Sequence, residues 1–422
     1  MKNIIKATAI ILLVAFTAAV LVSCSSEPVL TLTVTDEDGT EHTYEMLYDE
    51  YKAYMSQYKF NLINSNDTYY YTYYGYTYGT ATVEGLGDGL FTDDLDKSVT
   101  EAVQNLLKNY VVERYLSEKY GVTVTEEQRA TNENYVNALI KNLGGKGSFK
   151  QKMGCTPEQY LAFSESYNIH YNLFDYLYGD NGVIEVTEDD TDKYYNDNFY
   201  AFRYLVVDLK NEVELDEDGN RVMNDAGDEY KRTAIDDSTE EGKEKLSDKG
   251  FIPEKIKSDL AAGIPFEELI EKYSDEYNSV LYAHDGVIYS EYTDGVILTF
   301  DNAILTTLAT LGTGDVSGQI TTVSENYVYF VERLELPEKA YEDEKYAQWF
   351  VYENTLDAAD GEEEKETVLV NAFDDLVRNY LYETTCSALA EKITANDDLM
   401  AKYTIKNAFM PKIKLNRSTS ST

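Results

Sequence analysis

The 422-residue chain carries 77 acidic residues against 36 basic ones, a formal charge of −41. That balance excludes nucleic acid as a partner, because gripping phosphates needs a basic footprint. The length allows two to three domains with real cores. Three widely spaced histidines (His42, His170, His284) give no support to a zinc site, a cofactor or a Ser-His-Asp constellation.

Lys2 and Lys6 precede an uncharged run from Ala7 to Val22, followed by Ser23, Cys24, Ser25 and Ser26. A basic tip, a short apolar core and small residues before a cut describe a secretory signal peptide. The run is shorter than the ~18–20 apolar residues of a spanning helix. Leu21-Val22-Ser23-Cys24 resembles the lipobox of bacterial lipoproteins, which implies a signal over 1–23 and lipidation of Cys24. Acyl chains there would partition into a bilayer at ~0.8 kcal/mol per buried CH₂. The expected address is the extracytoplasmic face of a bacterial membrane. A soluble secreted protein or an uncleaved anchor helix is the alternative. Of the remaining cysteines, Cys155 and Cys386, no spacing argues for a pair.

Val29–Val34 alternates apolar residues with threonines, Asp36-Glu37-Asp38-Gly39 turns, and His42–Met46 resumes the alternation, a β-hairpin with His42 toward solvent. Leu47 to Ile63 carries Leu47, Tyr51, Tyr54, Tyr58 and Leu62 at helical steps. The cluster Tyr69, Tyr70, Tyr71, Tyr73, Tyr74, Tyr76 and Tyr78 reads as a low-complexity loop, with a sticky aromatic platform as the sharper alternative. Val99 to Tyr120 is amphipathic and stops at Gly121. Thr125-Glu126-Glu127-Gln128 forms a capping box that opens a helix to Leu143. Gly144, Gly145 and Gly147 break the chain, and Thr156-Pro157-Glu158-Gln159 starts the next helix. That helix is striped by Tyr160, Phe163, Tyr167, His170, Tyr171, Phe174 and Leu177 down to Gly179, which predicts a packed, hydrogen-bonded His170. Val186, Thr187 and Asp190 start a further helix through Tyr195.

This succession of capped helices, over Leu47 to Phe199, resembles the N-terminal chaperone region of PrsA/SurA-type foldases. The resemblance implies an all-helical region (47–199, after a lipidated N-terminus and hairpin at 24–46) that binds unfolded exported polypeptide. Self-association as a homodimer is left open by the sequence.

Phe202 to Val207 is a buried-type strand, followed by an acid-rich insertion at 208–250 with turns at Asp218-Gly219 and Ala226-Gly227. Glu214, Asp216, Asp218, Gly219 and Asp225 imitate a calcium loop poorly, so solvated hairpin turns are expected and no metal. A helix over Pro253–Ala262, the Gly263-Ile264-Pro265-Phe266…Tyr273-Ser274 run, Gly286–Tyr289, Gly314–Thr322 and a strand from Tyr327 to Leu334 together resemble a parvulin-type peptidyl-prolyl isomerase domain over 200–336. The departures matter: the two family histidines fall at Tyr204 and at Tyr327 or Val328, and the family Cys or Asp at Asp275 or Glu276. The resemblance assigns a pocket to Tyr204, Glu276, Ile288, Val296, Phe300, Thr322 and Ser324, with Phe300 as the proline-cradling aromatic. It implies a module weak or inactive in catalysis.

Pro337 ends that unit. Tyr341–Leu356 and Val368–Ile393 are expected as helices joined by an acidic bend, with 337–422 packing on the early helices as the resemblance implies. The overall expectation is an α+β protein acting as a membrane-anchored chaperone or foldase. The alternatives are an active prolyl isomerase with a non-standard site, and a solute-binding or adhesive surface lipoprotein. The last is disfavoured because βαβ alternation is missing.

Overall fold

A computed structural model describes residues 26–36, 39–74, 93–290, 298, 300–322, 326–356 and 366–409, the side chains of 63–74, 93–95 and 351–371 excepted. Cys24, Val296 and Ser324 lie outside the described residues, as do Tyr76 and Tyr78 of the tyrosine cluster. The chain is α+β and divides into two compact units, one of residues 1–185 with 381–422 and one of residues 186–380.

In the first unit, strands β1 (Pro28–Thr35) and β2 (Glu41–Leu47) form the hairpin. Helix α1 runs from Tyr48 to Tyr74, so the backbone continues helically into the tyrosine cluster where a loop was expected. Tyrosine's large ring does not by itself break a helix, and no glycine or proline intervenes before Gly75. Helices α2 (Asp93–Tyr120), α3 (Glu126–Leu143), α4 (Lys146–Met153) and α5 (Pro157–Tyr178) follow. Thr125 and Thr156 cap α3 and α5 with complete capping boxes, each threonine accepting the N3 amide while the N3 glutamine reaches back. The glycine break holds one short helix, α4, because Gly145 and Gly154 adopt positive φ at its two ends and leave room for eight helical residues. Rings of Tyr54, Tyr110, Tyr160, Phe163 and Tyr167 meet edge-on or tilted in the core. The Tyr58 and Tyr110 hydroxyls lie 2.5 Å apart within it.

The second unit opens with α6 (Glu188–Asn198) and β3 (Tyr200–Asp208). The acidic insertion forms a twisted hairpin with β4 (Asn211–Val213) and β5 (Arg232–Ala234). Then come α7 (Glu240–Ala261), α8 (Phe266–Tyr273), α9 (Tyr277–Leu281), β6 (Val287–Tyr289), α10 (Asn302–Leu308), β7 (Ile320–Thr321) and β8 (Tyr327–Arg333). The strands make an antiparallel sheet in the order β6-β3-β8-β7. Helix α7 starts at Glu240, capped by Thr239, well before the expected start at Pro253. One face of the sheet, Leu205, Val207, Val328 and Phe330, closes a core with Ile256, Phe266, Leu269 and Ile270 from α7 and α8.

The unit is larger than the 200–336 span. Tyr194, Tyr195 and Phe199 pack with Tyr341, Phe350 and Phe373 in an aromatic cluster, the Tyr341 and Phe373 rings stacked at 4.4 Å. Of the helices expected after Pro337, the second is present over Phe373–Ala390, and the first is corrected. Residues 340–350 form two 3₁₀ turns, and β9 (Val351–Leu356) pairs antiparallel with β10 (Glu366–Asn371) before α11 (Phe373–Ala390). Val351, Thr355, Thr367, Val368 and Val370 are β-branched, and their preference for strands outweighs the apolar spacing that suggested helix.

From Leu381 onward the chain belongs to the first unit. Strand β11 (Ile393–Ala395) adds to β1, Leu30 pairing with Ala395. The Lys59 ammonium donates to the Lys406 and Ala408 carbonyls at 2.7 and 3.0 Å. Thr100 Oγ1 accepts from the Ile405 amide, and Tyr51 donates to the Tyr403 carbonyl. Of the span expected to return to the early helices, residues 337–380 belong to the second unit instead.

Candidate functional site

The face of the sheet opposite the α7/α8 core carries the even residues of β3: Phe202, Tyr204 and Val206. In the antiparallel register they share that face with Val331 and Tyr329 of β8. Val328 pairs with Val207 on the other face, so it is a core residue and no counterpart of a family histidine. Tyr327 lies opposite Asp208 at the end of β8.

Tyr204 is 1% exposed, and its hydroxyl is buried with no hydrogen-bond partner of normal geometry. Loss of solvent around the ring, and next the Glu276 carboxylate, push its ionisation far above the usual tyrosine range. Glu276 stands at the N-cap of α9, brought to the end of β3 by local pairing: the Asp275 amide donates to the Val206 carbonyl at 2.8 Å, and Ser274 Oγ accepts from the Val206 amide. The Glu276 carboxyl is pushed up to about 7, chiefly by desolvation, against the lowering influence of the Tyr204 hydroxyl and the Arg232 charge. Tyr329 is raised to about 12 by burial and by Glu276. Asp275, the other carboxylate in this stretch, is structural: its Oδ2 accepts the Asp208 amide at 2.9 Å and pairs with Lys249 at 2.7 Å.

Phe300 is boxed by three rings, with Tyr204 at 4.9 Å, Tyr289 at 5.0 Å and Phe202 at 5.1 Å, all edge-on. It is 7% exposed, so it is walled by aromatics rather than standing open. Ile288 pairs with Ala201 and faces the opposite side of the sheet from Tyr204, because a one-residue step inverts the side chain. Tyr289 and Phe202 hold the flank expected for Ile288. Thr322 is buried just after β7, two residues on from Ile320, which lies opposite Tyr329. The site thus brings together Tyr204, Glu276 and Phe300 from the expected set, and adds Phe202, Tyr289, Tyr329 and Arg232. Strand parity could have found Phe202 and Tyr329; nothing in the sequence marks Arg232, which arrives on the insertion. His284 is exposed and pairs with Glu271 at 3.1 Å.

No family model matches the chain, and no curated protein matches it. Among solved structures, PrsA from Bacillus subtilis is 14% identical over 78% of this chain and 93% of its own, with a TM-score of 0.21. PrsA from Bacillus cereus is 14% identical over 77% and 89%, with a TM-score of 0.25. The foldase PrsA from Streptococcus pneumoniae is 13% identical over 76% and 87%, with a TM-score of 0.22. Likeness at this level leaves the functional reading to the side chains.

In the first unit, α2, α5 and the returning chain enclose a polar group in the core. Glu113 is 2% exposed, and its Oε1 accepts from Tyr382 Oη at 2.9 Å and lies 2.7 Å from His170 Nδ1. The Glu113 hydrogen bond raises the His170 ionisation. His170 is hydrogen-bonded as expected but only half-buried. Cys155 and Cys386 are both free, buried thiols. Tyr58, Leu62, Val99, Val103 and Tyr167 line an apolar cleft of about 220 Å³ between α1, α2 and α5. Tyr135, Tyr171 and Tyr176 stand exposed on α3 and α5. Among the described residues no helix is long and apolar enough to cross a membrane.

Proposed function

We propose that this chain is an extracytoplasmic foldase, tethered through lipid on Cys24, that holds unfolded exported polypeptides on its first unit and engages proline-containing segments at the Tyr204 face of its second. The observation that carries this reading is the site itself: an aromatic box around Phe300 with one carboxyl and no histidine at its polar edge. Prolyl isomerisation needs no covalent step, only a slot that favours the twisted amide over a barrier of ~18–20 kcal/mol. The Phe300 cluster, closed by its own rings in this structure, supplies the apolar walls that such a slot needs. Without a rigid polar network to orient the substrate, catalysis is weak and binding is retained. The exposed tyrosines and the apolar cleft support a holding role for the first unit, since tyrosine offers flat contact area at low entropic cost.

The test is refolding of a small protein whose slow phase is a prolyl isomerisation, followed with the full mature chain. The expected result is a small acceleration that Phe300→Leu removes, with client holding intact. A large acceleration that Glu276→Gln abolishes would instead favour the second reading, an active isomerase built on Tyr204 and Glu276.

A further inference from the structure

From Asn134 to Pro157 the chain carries Lys141, Lys146, Lys150 and Lys152 and not one acidic residue, in a sequence with 77 of them. These residues make the end of α3, all of α4 and the turn into α5. Lys141, Lys146 and Lys150 are exposed, and Lys152 is half-buried, donating to the Leu143 carbonyl at 3.2 Å. Lys146 and Lys150, one helical turn apart, line an open cleft of about 510 Å³ with Gln151, Thr156, Pro157 and Glu158. Glu158 pairs with Lys146 at 3.3 Å, yet the Lys146 side chain remains 71% exposed and open to a second partner.

Both ends of the chain come to this patch. The Asp49 amide donates to Ser26 Oγ at 3.0 Å, and the Asp49 carbonyl accepts from Gln159 Nε2 at 3.4 Å. The entering chain is thus two hydrogen bonds from the first turn of α5, and Cys24 precedes Ser26 by two residues. At the other end, Phe409 lies against Gly154, where an added Cβ would meet its ring at 2.2 Å. Lys402 and Lys406 stand exposed in the turns before it, and the sequence after it adds Lys412, Lys414 and Arg417 with no acid. The acids at the junction are Glu27, Asp49, held by Lys52 at 2.6 Å, and Glu158, held by Lys146. A chain of charge −41 is repelled by an anionic leaflet, so an acid-poor lysine patch beside the tether is the surface that can approach one.

We propose that this lysine patch docks the first unit on a bilayer rich in anionic phospholipid, its ammonium groups on the phosphate headgroups beside the Cys24 tether. The proposal rests on reading Cys24 as the lipidated residue, and goes beyond it by assigning the surface of the unit that meets the membrane. Each lysine near such a leaflet shifts the equilibrium roughly fivefold, while the tether supplies the encounter.

The test couples the full mature chain through Cys24 to a maleimide lipid, selectively because Cys155 and Cys386 are buried. The vesicles are phosphatidylcholine alone or with about one third phosphatidylglycerol. Acetylation of each lysine by a water-soluble reagent is followed by mass spectrometry. Lys141, Lys146 and Lys150 should react about fivefold more slowly on the phosphatidylglycerol vesicles, and high salt should remove the difference. Lys146→Gln combined with Lys150→Gln, both surface changes, should return Lys141 toward its rate on the neutral vesicles. Equal rates at the patch on the two vesicles overturn the proposal, as does a uniform slowing of every exposed lysine or undiminished protection of Lys141 in the double variant. Protection by soluble polyphosphate with none from phosphatidylglycerol assigns the patch to a free polyanion and overturns it too. Because the coupling is chemical and no client is present, failure here leaves the lipid tether and the refolding test standing. The mass of Cys24 in protein extracted from membranes tests the tether separately, so the two failures are told apart.

Discussion

Glu276 is one residue whose environment decides its behaviour. Its ionisation is raised in the folded state, so near neutral pH the folded chain holds a proton that the unfolded chain has already released. By linkage, the stability associated with this group is present below the ordinary glutamate range and lost as pH rises through about 7. Glu276→Gln keeps the shape and removes the ionisation, so the variant should melt higher than wild type at pH 8, and the gap should be much smaller at pH 5. Circular dichroism melts at the two pH values check this. His170 behaves in the same direction for a different reason: the Glu113 hydrogen bond raises its ionisation, so its contribution is complete below the ordinary histidine value and fades as pH climbs through the raised one. His170→Gln should flatten that loss. Tyr382→Phe is harsher, since it removes a donor from the 2%-exposed Glu113, whose Oε2 is already unpartnered; ~1–3 kcal/mol in urea unfolding is the expected cost.

Among the elements, the caps were the clearest text. Thr125 and Thr156 each precede a glutamine by three residues, and both boxes close in the structure because the hydroxyl and amide satisfy orphan groups without distant help. Thr156→Ala should therefore lower the urea midpoint, at a cost of about 1 kcal/mol, while Thr156→Ser should be nearly silent. The hairpin at β1 and β2 was equally readable, from alternation alone, whereas the strand at β8 came from the family resemblance. Two elements read wrongly take their state from a strand partner, one close in the chain and one far along it. Residues 351–356 become a strand because 366–371 pairs with them, and Ile393–Ala395 because β1 offers an edge. Ile288 fell on the wrong side of the sheet because family resemblance fixes a position without fixing register. Arg232 was illegible for a related reason: a hairpin's reach depends on packing such as Tyr230 on Tyr277, which no local pattern encodes.

At the scale of the molecule, a chain of charge −41 folds into two units whose cores rely heavily on tyrosine. The first depends on both chain ends. Lys59, buried among carbonyls of 406 and 408, and Thr100, holding the Ile405 amide, lose their partners if the end is missing. Ending the chain after residue 380 should leave the second unit folded and expose the first to proteolysis, which limited digestion would reveal. The foldase reading depends on that closed first unit presenting apolar and tyrosine surface to unfolded chains. Its most direct test uses reduced, unfolded α-lactalbumin, an acidic client that electrostatic attraction cannot draw to an acidic chain. The full mature chain at near-equimolar ratio should suppress the client's light scattering, and Glu276→Gln and Phe300→Leu should suppress it equally well. Scattering that rises unchanged in the presence of excess chain would contradict the account.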